Sequence, residues 1–273
     1  MKAMITITNL HKKFNPGTIN EVYALRGINL HINAGDFITI IGTNGSGKTS
    51  LLNAVAGSFL PDSGQILLEG RNITRMPGFR RSRYISRVFQ NPNMGTAADM
   101  SIAENLHMAY LRSRRALPLF GLNSARRDYF RGEVRPLEMQ LEGRLDNVIG
   151  TLSGGQRQAL TLLMAVLGKP KVLLLDEHTA ALDPKSAAQV IRLTRKFIER
   201  DGLTAIMVTH SMQQALELGN RTLMMNKGQI IDDIVLKDKH RLTVEDLLEK
   251  FAVLRKNEQL TDDRLELLRR EYR

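Results

Sequence analysis

At 273 residues, with 42% hydrophobic and 25% charged residues, the chain has an ordinary globular composition. It has room for one large domain or for a domain carrying an insertion. It contains no cysteine, which excludes disulfides, thiolate metal sites and thiol catalysis, and no run reaches the ~20 apolar residues of a membrane-spanning helix.

The first residues, MKAMITITNL, lack the apolar core of a secretory signal. The net charge of +11 is uneven, since Arg71 to Arg144 holds 14 Arg, no Lys and six acidic residues. Such a segment suits an anionic membrane surface, nucleic acid or simply a solvated helical face. Aromatics are only 5% and do not alternate with basic residues, so a membrane surface is favoured over nucleic acid.

In chain order, residues 3–8 alternate as a strand and Tyr23–Ile32 reads as a second, after a turn at Asn15-Pro16-Gly17. Phe37–Ile41 is a short apolar run that feeds a glycine-rich loop. Lys48–Ala56 follows with helical spacing and stops at Gly57. Gly64–Glu69 reads as a strand beyond Pro61-Asp62. From about 92 the pattern turns helical: Ser101–Arg115, with Glu104 placed for a capping box, and then the charged stretch Asn123–Glu142. Ser153–Leu167 is also helical.

Val172–Leu175 and Leu203–Val208 are buried-strand patterns flanking a helix at Pro184–Glu199. Thr222–Asn226 and Gln229–Ile234 form a hairpin about Lys227-Gly228, and amphipathic helices at 243–256 and 262–271 follow. Strands alternating with helices predict an α/β fold with a mostly parallel sheet covered on both faces. An antiparallel β subdomain and an inserted α-helical subdomain (about 92–168) complete a domain over 1–235, with a helical extension over 236–273.

The loop Gly42-Thr43-Asn44-Gly45-Ser46-Gly47-Lys48-Thr49 matches the full GxxxxGK[ST] pattern of a P-loop NTPase core. Glycine lets successive backbone N–H groups point inward at phosphate oxygens, aided by the positive end of the next helix. Lys48 is placed for the β- and γ-phosphates and the Thr49 hydroxyl for Mg²⁺. By itself the loop serves an ATPase, a GTPase or a kinase. Downstream, Val172–Leu175 ends in Asp176 and Glu177. Asp176 can hold magnesium through water, and Glu177 can polarise an attacking water as general base; alternatively, the pair caps the next helix.

Thr151-Leu152-Ser153-Gly154-Gly155-Gln156-Arg157-Gln158 resembles the signature of the ATP-binding cassette (ABC) family. Ser153 would cap a helix whose exposed amides make a second anion site. The resemblance runs from about residue 4 to 235. It implies that Ser153, Gly154, Gly155 and Gln156 contact the γ-phosphate of ATP held by a second subunit, so that two chains complete each site.

The resemblance also implies roles for isolated residues. Gln90 is the Q-loop glutamine that senses magnesium and γ-phosphate, His210 the switch histidine, and Asp183 the aspartate that bridges subunits. Phe14 stacks on adenine, with Tyr23 the second candidate; packing within the sheet is the alternative for both. Preference for ATP rests on the same resemblance. His178 departs from it, because proline usually follows the catalytic glutamate. The histidine restores a backbone N–H and frees φ, and it reads as a tolerated loop substitution.

One cassette without a span resembles the separate ATPase subunits of bacterial importers, among them those of the tryptophan and tyrosine type. The implied partners are a second copy of the ATPase, transmembrane permease subunits and an extracytoplasmic substrate-binding protein. The implied place is the cytoplasmic face of the membrane. A lipid- or lipoprotein-extracting or efflux ATPase would carry nearly the same motifs, and a nucleic-acid-linked ATPase is the other alternative. The long coiled coils, zinc modules or second cassette usual in the latter are not seen in the sequence.

Overall fold

The computed structural model describes residues 2–112, 121–239 and 241–256. Its strands are β1 (Ala3–Phe14), β2 (Val22–Asn33), β3 (Phe37–Gly42), β4 (Ser63–Leu68), β5 (Arg71–Asn72), β6 (Ile85–Val88), β7 (Val172–Asp176), β8 (Thr204–Val208), β9 (Arg221–Asn226) and β10 (Gln229–Val235). The helices are α1 (Lys48–Ala56), α2 (Gly78–Arg81), α3 (Ile102–Leu111), α4 (Ser124–Val134), α5 (Gly154–Leu167), α6 (Pro184–Asp201), α7 (Met212–Glu217), α8 (Leu236–Lys239) and α9 (Val244–Lys256). They divide into two compact units, one of Met1–Val55, Phe59–Thr74 and Ile206–Arg273, the other of Ala56–Ser58 and Arg75–Ala205.

In the first unit an antiparallel sheet runs in the order β2-β1-β4-β5. Beside it, β3 pairs in parallel with β9, register Ile41 to Met224 and Gly42 to Met225. Every residue of β3 is buried, as a strand covered on both faces requires. The hairpin between β9 and β10 turns through Lys227 and Gly228, both at positive φ (44° and 81°), the conformation a two-residue hairpin loop needs. Helix α9 starts at Thr243, which exchanges hydrogen bonds with Asp246. The helix then buries Leu247 and Phe251 among Ile41, Met212, Ala215, Met224 and Ile234.

The second unit pairs β6 with β7 in parallel, register Val88 to Leu175, and covers them with α5, buried on almost every face from Gln158 to Leu167. Helix α6 opens at the expected proline and is punctuated at both ends. Asp183 caps it by accepting from the Ser186 N–H at 3.0 Å, Pro184 opens it, and Gly202 closes it at φ 58°. Its buried stripe, Val190, Leu193, Thr194, Phe197 and Ile198, follows helical spacing.

Two expectations are corrected here. The helix expected over Asn123–Glu142 keeps its Asn123 cap but ends at Val134. Pro136 converts the chain to a short 3₁₀ turn, and Glu138 is left-handed at φ 56°. The helix expected over Ser101–Arg115 has its Ser101–Glu104 capping box and ends at Leu111; Arg114 and Arg115 lie outside the described residues, as does the helix expected over 262–271. Strand β6, only four residues long, gave no separate sequence signal.

The arginine-rich segment is of two kinds. Arg81 is buried and donates from Nε to the Met76 carbonyl at 2.8 Å. Arg112 bridges Ser86 Oγ (2.6 Å) and the Ala165 carbonyl (3.1 Å), and Arg126 lies over the Tyr110 ring. Arg75, Arg80, Arg83, Arg131 and Arg135 are exposed. The charge excess is therefore partly internal scaffolding.

Leu247 has no exposed surface in the core that joins α9 to β9 and β10. Leu247→Ala is expected to cost about 2–5 kcal/mol, read as a lower urea midpoint with an unchanged slope; a midpoint equal to that of the unaltered chain would place α9 outside the cooperative core.

Candidate active site

Within the first unit, the chain leaves β3 at Gly42 and enters α1 at Lys48. Two glycines are dictated by close approach. A Cβ on Gly42 would stand 2.3 Å from the Met225 carbonyl oxygen, and one on Gly47, where φ is 99°, would stand 2.4 Å from that of Ala24. Gly45 is also at positive φ, 76°. The loop is pinned from outside by the Gly228 N–H, which donates to the Ser46 carbonyl at 2.9 Å, and from inside by the Ser46 N–H to the Thr43 carbonyl at 3.0 Å.

Lys48 is buried, and its ammonium donates to the carbonyls of Gly42 (2.7 Å) and Thr43 (3.1 Å). Thr49, one residue on, is exposed, as are Asn44 and Gly45. The loop thus offers amides and a hydroxyl at the start of α1, with a cation folded against its own backbone.

In the same unit, β8 ends at Val208 and the Thr209 N–H donates to the Ile40 carbonyl at 3.2 Å, two residues before the loop begins. His210 follows on the turn that Ser211 closes as the cap of α7. The structure therefore brings His210 to the root of the phosphate loop. Phe14 ends β1 and packs edge-on against Phe59, ring centres 5.2 Å apart, with Lys12 over it. Tyr23 is committed elsewhere: its hydroxyl meets His11 Nδ1 at 2.5 Å, and Lys13 and Arg26 each lie 5.0 Å from its ring centre. Of the two base-stacking candidates, Phe14 has fewer cations over its ring.

Within the second unit, parallel pairing of β6 and β7 sets Phe89-Gln90 beside Asp176-Glu177 as both strands end. Gln90 is exposed. Asp176 is buried and accepts from Arg87 Nη2 at 2.5 Å. Arg87, which stacks over Phe89, is a site neighbour that the sequence reading missed because β6 was missed.

Glu177 is left-handed, at φ 46°, a conformation costing a non-glycine residue of order 1 kcal/mol or more and often found at functional positions. Its carbonyl accepts from the Ala180 N–H at 3.0 Å.

The start of α5, expected to be a second anion site, is a capped helix N-terminus. Ser153 and Gln156 form a reciprocal capping box at the start of α5. A Cβ on Gly155 would stand 2.6 Å from Ser186 Oγ, and one on Gly154 3.7 Å from the Leu182 side chain. The start of α5 thus touches the loop that carries Asp183. Further along α5, Gln158 donates to the Phe89 carbonyl at 3.2 Å and Arg157 bonds Asn93. Helix α5 and the loop after β6 are one hydrogen-bonded body, a link that the motif spacing did not reveal.

His178 corrects the expectation of a loosened loop. It is 1% exposed, with Nε2 3.0 Å from Thr194 Oγ1 on α6. Burial pushes its pKa down to about 4. The Thr49 hydroxyl in the first unit and the Asp176 carboxylate in the second are each an oxygen donor of the kind magnesium takes, since that ion needs few protein oxygens when phosphates supply the rest. Among the described residues, no cluster of three or more His, Asp or Glu suits a metal.

The family model described as ABC transporter matches residues 25–180. A tyrosine transport ATP-binding protein of Clostridioides difficile is 42% identical over 250 residues, 91% of this chain and 98% of that protein. A spermidine/putrescine import ATP-binding protein of Haemophilus influenzae is 35% identical over 236 residues, and the match spans 58% of that longer protein. Among solved structures, a dimeric ATP-binding cassette in a post-hydrolysis state with ADP and Pi superposes with a TM-score of 0.74. It is 27% identical, over 85% of this chain and 99% of that one.

The buried imidazole has a consequence for stability. An unfolded histidine takes its proton near pH ~6.5, the folded His178 only near about 4. Stability from this group is therefore complete above pH ~6.5 and is lost as pH falls from there toward 4. Melting temperatures measured between pH 7 and 4.5 are expected to fall less steeply for His178→Leu; parallel curves would show that the buried imidazole does not set the slope.

Proposed function

The chain belongs to the ABC transporter family as an ATP-hydrolysing cassette, and from this we propose that two copies close around two ATP molecules to drive a separate permease, most plainly one that imports an amino acid. The observation that carries the reading is the start of α5, a capped helix N-terminus with small residues at 154 and 155. It is a second phosphate-gripping surface in addition to the loop at 42–49, and the use for it is an ATP held by another subunit. The importer reading is supported by the relatives named above; the substrate class comes from the tyrosine transport relative.

In this reading the amides of 43–49 and the Lys48 ammonium hold the β- and γ-phosphates. Lys48 exchanges carbonyl partners for phosphate oxygens as nucleotide enters. Phe14 stacks on the base. Thr49, Gln90 and Asp176 hold magnesium, which when bound neutralises charge on the phosphates. Glu177 accepts the proton of the attacking water, and His210 steadies the γ-phosphate. Ser153, Gly154, Gly155 and Gln156 close the other side of a partner's nucleotide, with Asp183 across the subunit boundary.

Because Gln158 and Arg157 tie α5 to residues 89–93, a change at Gln90 moves the signature helix with it. The same body offers a permease a moving surface at the cytoplasmic face of the membrane. The exposed arginines at 75, 80 and 83 supply contacts to anionic lipid, and an extracytoplasmic binding protein would deliver the substrate.

Glu177→Gln is expected to bind ATP, to lose at least 100-fold in turnover and to elute as a nucleotide-dependent dimer in size exclusion. Rapid turnover by this variant would overturn the general-base assignment, and a monomer at saturating ATP would overturn the clamp. Affinity capture of the full chain from detergent-solubilised membranes is expected to retain a polytopic permease; nuclease-sensitive capture of nucleic acid instead would favour the nucleic-acid-linked alternative.

A further inference from the structure

Three observations meet on one residue. Glu177 occupies a left-handed conformation at φ 46°. Such a conformation persists only where its surroundings over-determine it. The next residue, His178, has its ring in the interior, although the loop from Glu177 to Asp183 is otherwise mostly a series of turns. Its ring meets Thr194 Oγ1, 1% exposed on α6.

The hydrogen-bond roles can be assigned. A threonine hydroxyl has one proton, and that of Thr194 is donated to the Val190 carbonyl at 2.8 Å. Toward His178 the hydroxyl is therefore an acceptor, and His178 Nε2 carries the hydrogen. Nδ1 is then a bare lone pair, buried and with no hydrogen-bond partner. Burial disfavours a proton there, in keeping with the lowered pKa.

An interior polar atom without a partner costs stability. An aliphatic side chain would fill the position without that cost, so packing alone does not account for a histidine. What the imidazole adds is one directed bond from the residue after Glu177 to the third turn of α6.

We propose that His178 is a positioning residue for ATP hydrolysis, its Nε2–H···Thr194 bond holding Glu177 in the left-handed conformation that aims the carboxylate at the attacking water. This rests on the reading of Glu177 as the general base. The tether acts after nucleotide has bound, so it bears on turnover and leaves affinity alone. Proline restrains backbone covalently; His178 restrains the same stretch through a side chain fixed in the neighbouring helix.

The test is steady-state ATPase kinetics of the full chain with Mg²⁺, each variant checked by its melting temperature. His178→Leu and Thr194→Val are each expected to lower kcat about tenfold with KM for ATP within twofold. The double variant should be no slower than the worse single, because both remove one bond. Thr194→Ser, which keeps the acceptor, and His178→Gln, which keeps an N–H near the place of Nε2, should recover most of the loss.

The proposal is overturned if kcat stays within twofold in Leu and Val variants. It is equally overturned if the two losses multiply, if KM rises in step, or if the Gln and Ser variants fall as far as Leu and Val. Glu177→Gln measured alongside separates the two claims: if it is inactive while His178→Leu is fully active, only the tether fails, whereas an active Glu177→Gln removes the general-base reading itself.

Discussion

The first amides of a helix have no carbonyl within the helix to bond, and this chain places that deficit at the two points proposed above to meet phosphate. At the start of α1, glycines at 42, 45 and 47 bring backbone, with no side chain in the way, to the mouth of the helix. At the start of α5, Ser153 and Gln156 satisfy part of the deficit themselves; Gly154 is exposed, whereas Gly155, expected to be exposed as well, is buried against Ser186. Both sites are made chiefly of main chain, so they depend on close packing more than on charge. Close approaches of this kind, Gly47 to Ala24 and Gly155 to Ser186, lie beside them.

Around these helix starts the side chains with chemistry are set by strand ends. Asp176 and Gln90 leave neighbouring parallel strands, and the carboxylate is steadied by Arg87, itself stacked on Phe89. His210 leaves β8 on a turn anchored to Ile40. Each group is presented by a short loop whose root is fixed in a buried strand, the usual way an α/β sheet combines rigidity with access.

Much of this was legible in the sequence, for identifiable reasons. Helix α1 begins and ends where Lys48 and Gly57 say it should, and the capping boxes at Ser101 and Ser153 are local patterns that need no tertiary knowledge. The mostly apolar, buried runs of β3, β7 and β8 are likewise local. What escaped was short or long-range. Strand β6 has four residues and no periodicity to detect. Helix α4 was read past Pro136 because its charged pattern continues beyond that break. Arg87, Gln158 and Thr194 matter through partners far away in the sequence, which spacing cannot disclose. The charge excess misled in part, since Arg81 and Arg112 proved to be internal donors to backbone carbonyls.

The grip of Gly228 on Ser46 has a meaning for how the protein is made. The phosphate loop emerges early from the ribosome, yet Met225, which crowds Gly42, and Gly228, which bonds Ser46, arrive only after most of the chain has been synthesised. Helix α9, which braces the hairpin carrying them, comes later still. Contacts so distant along the chain are slow to form. A nascent chain therefore lacks the Met225 contact to Gly42 and the Gly228 bond to Ser46 until residues 225–228 have emerged.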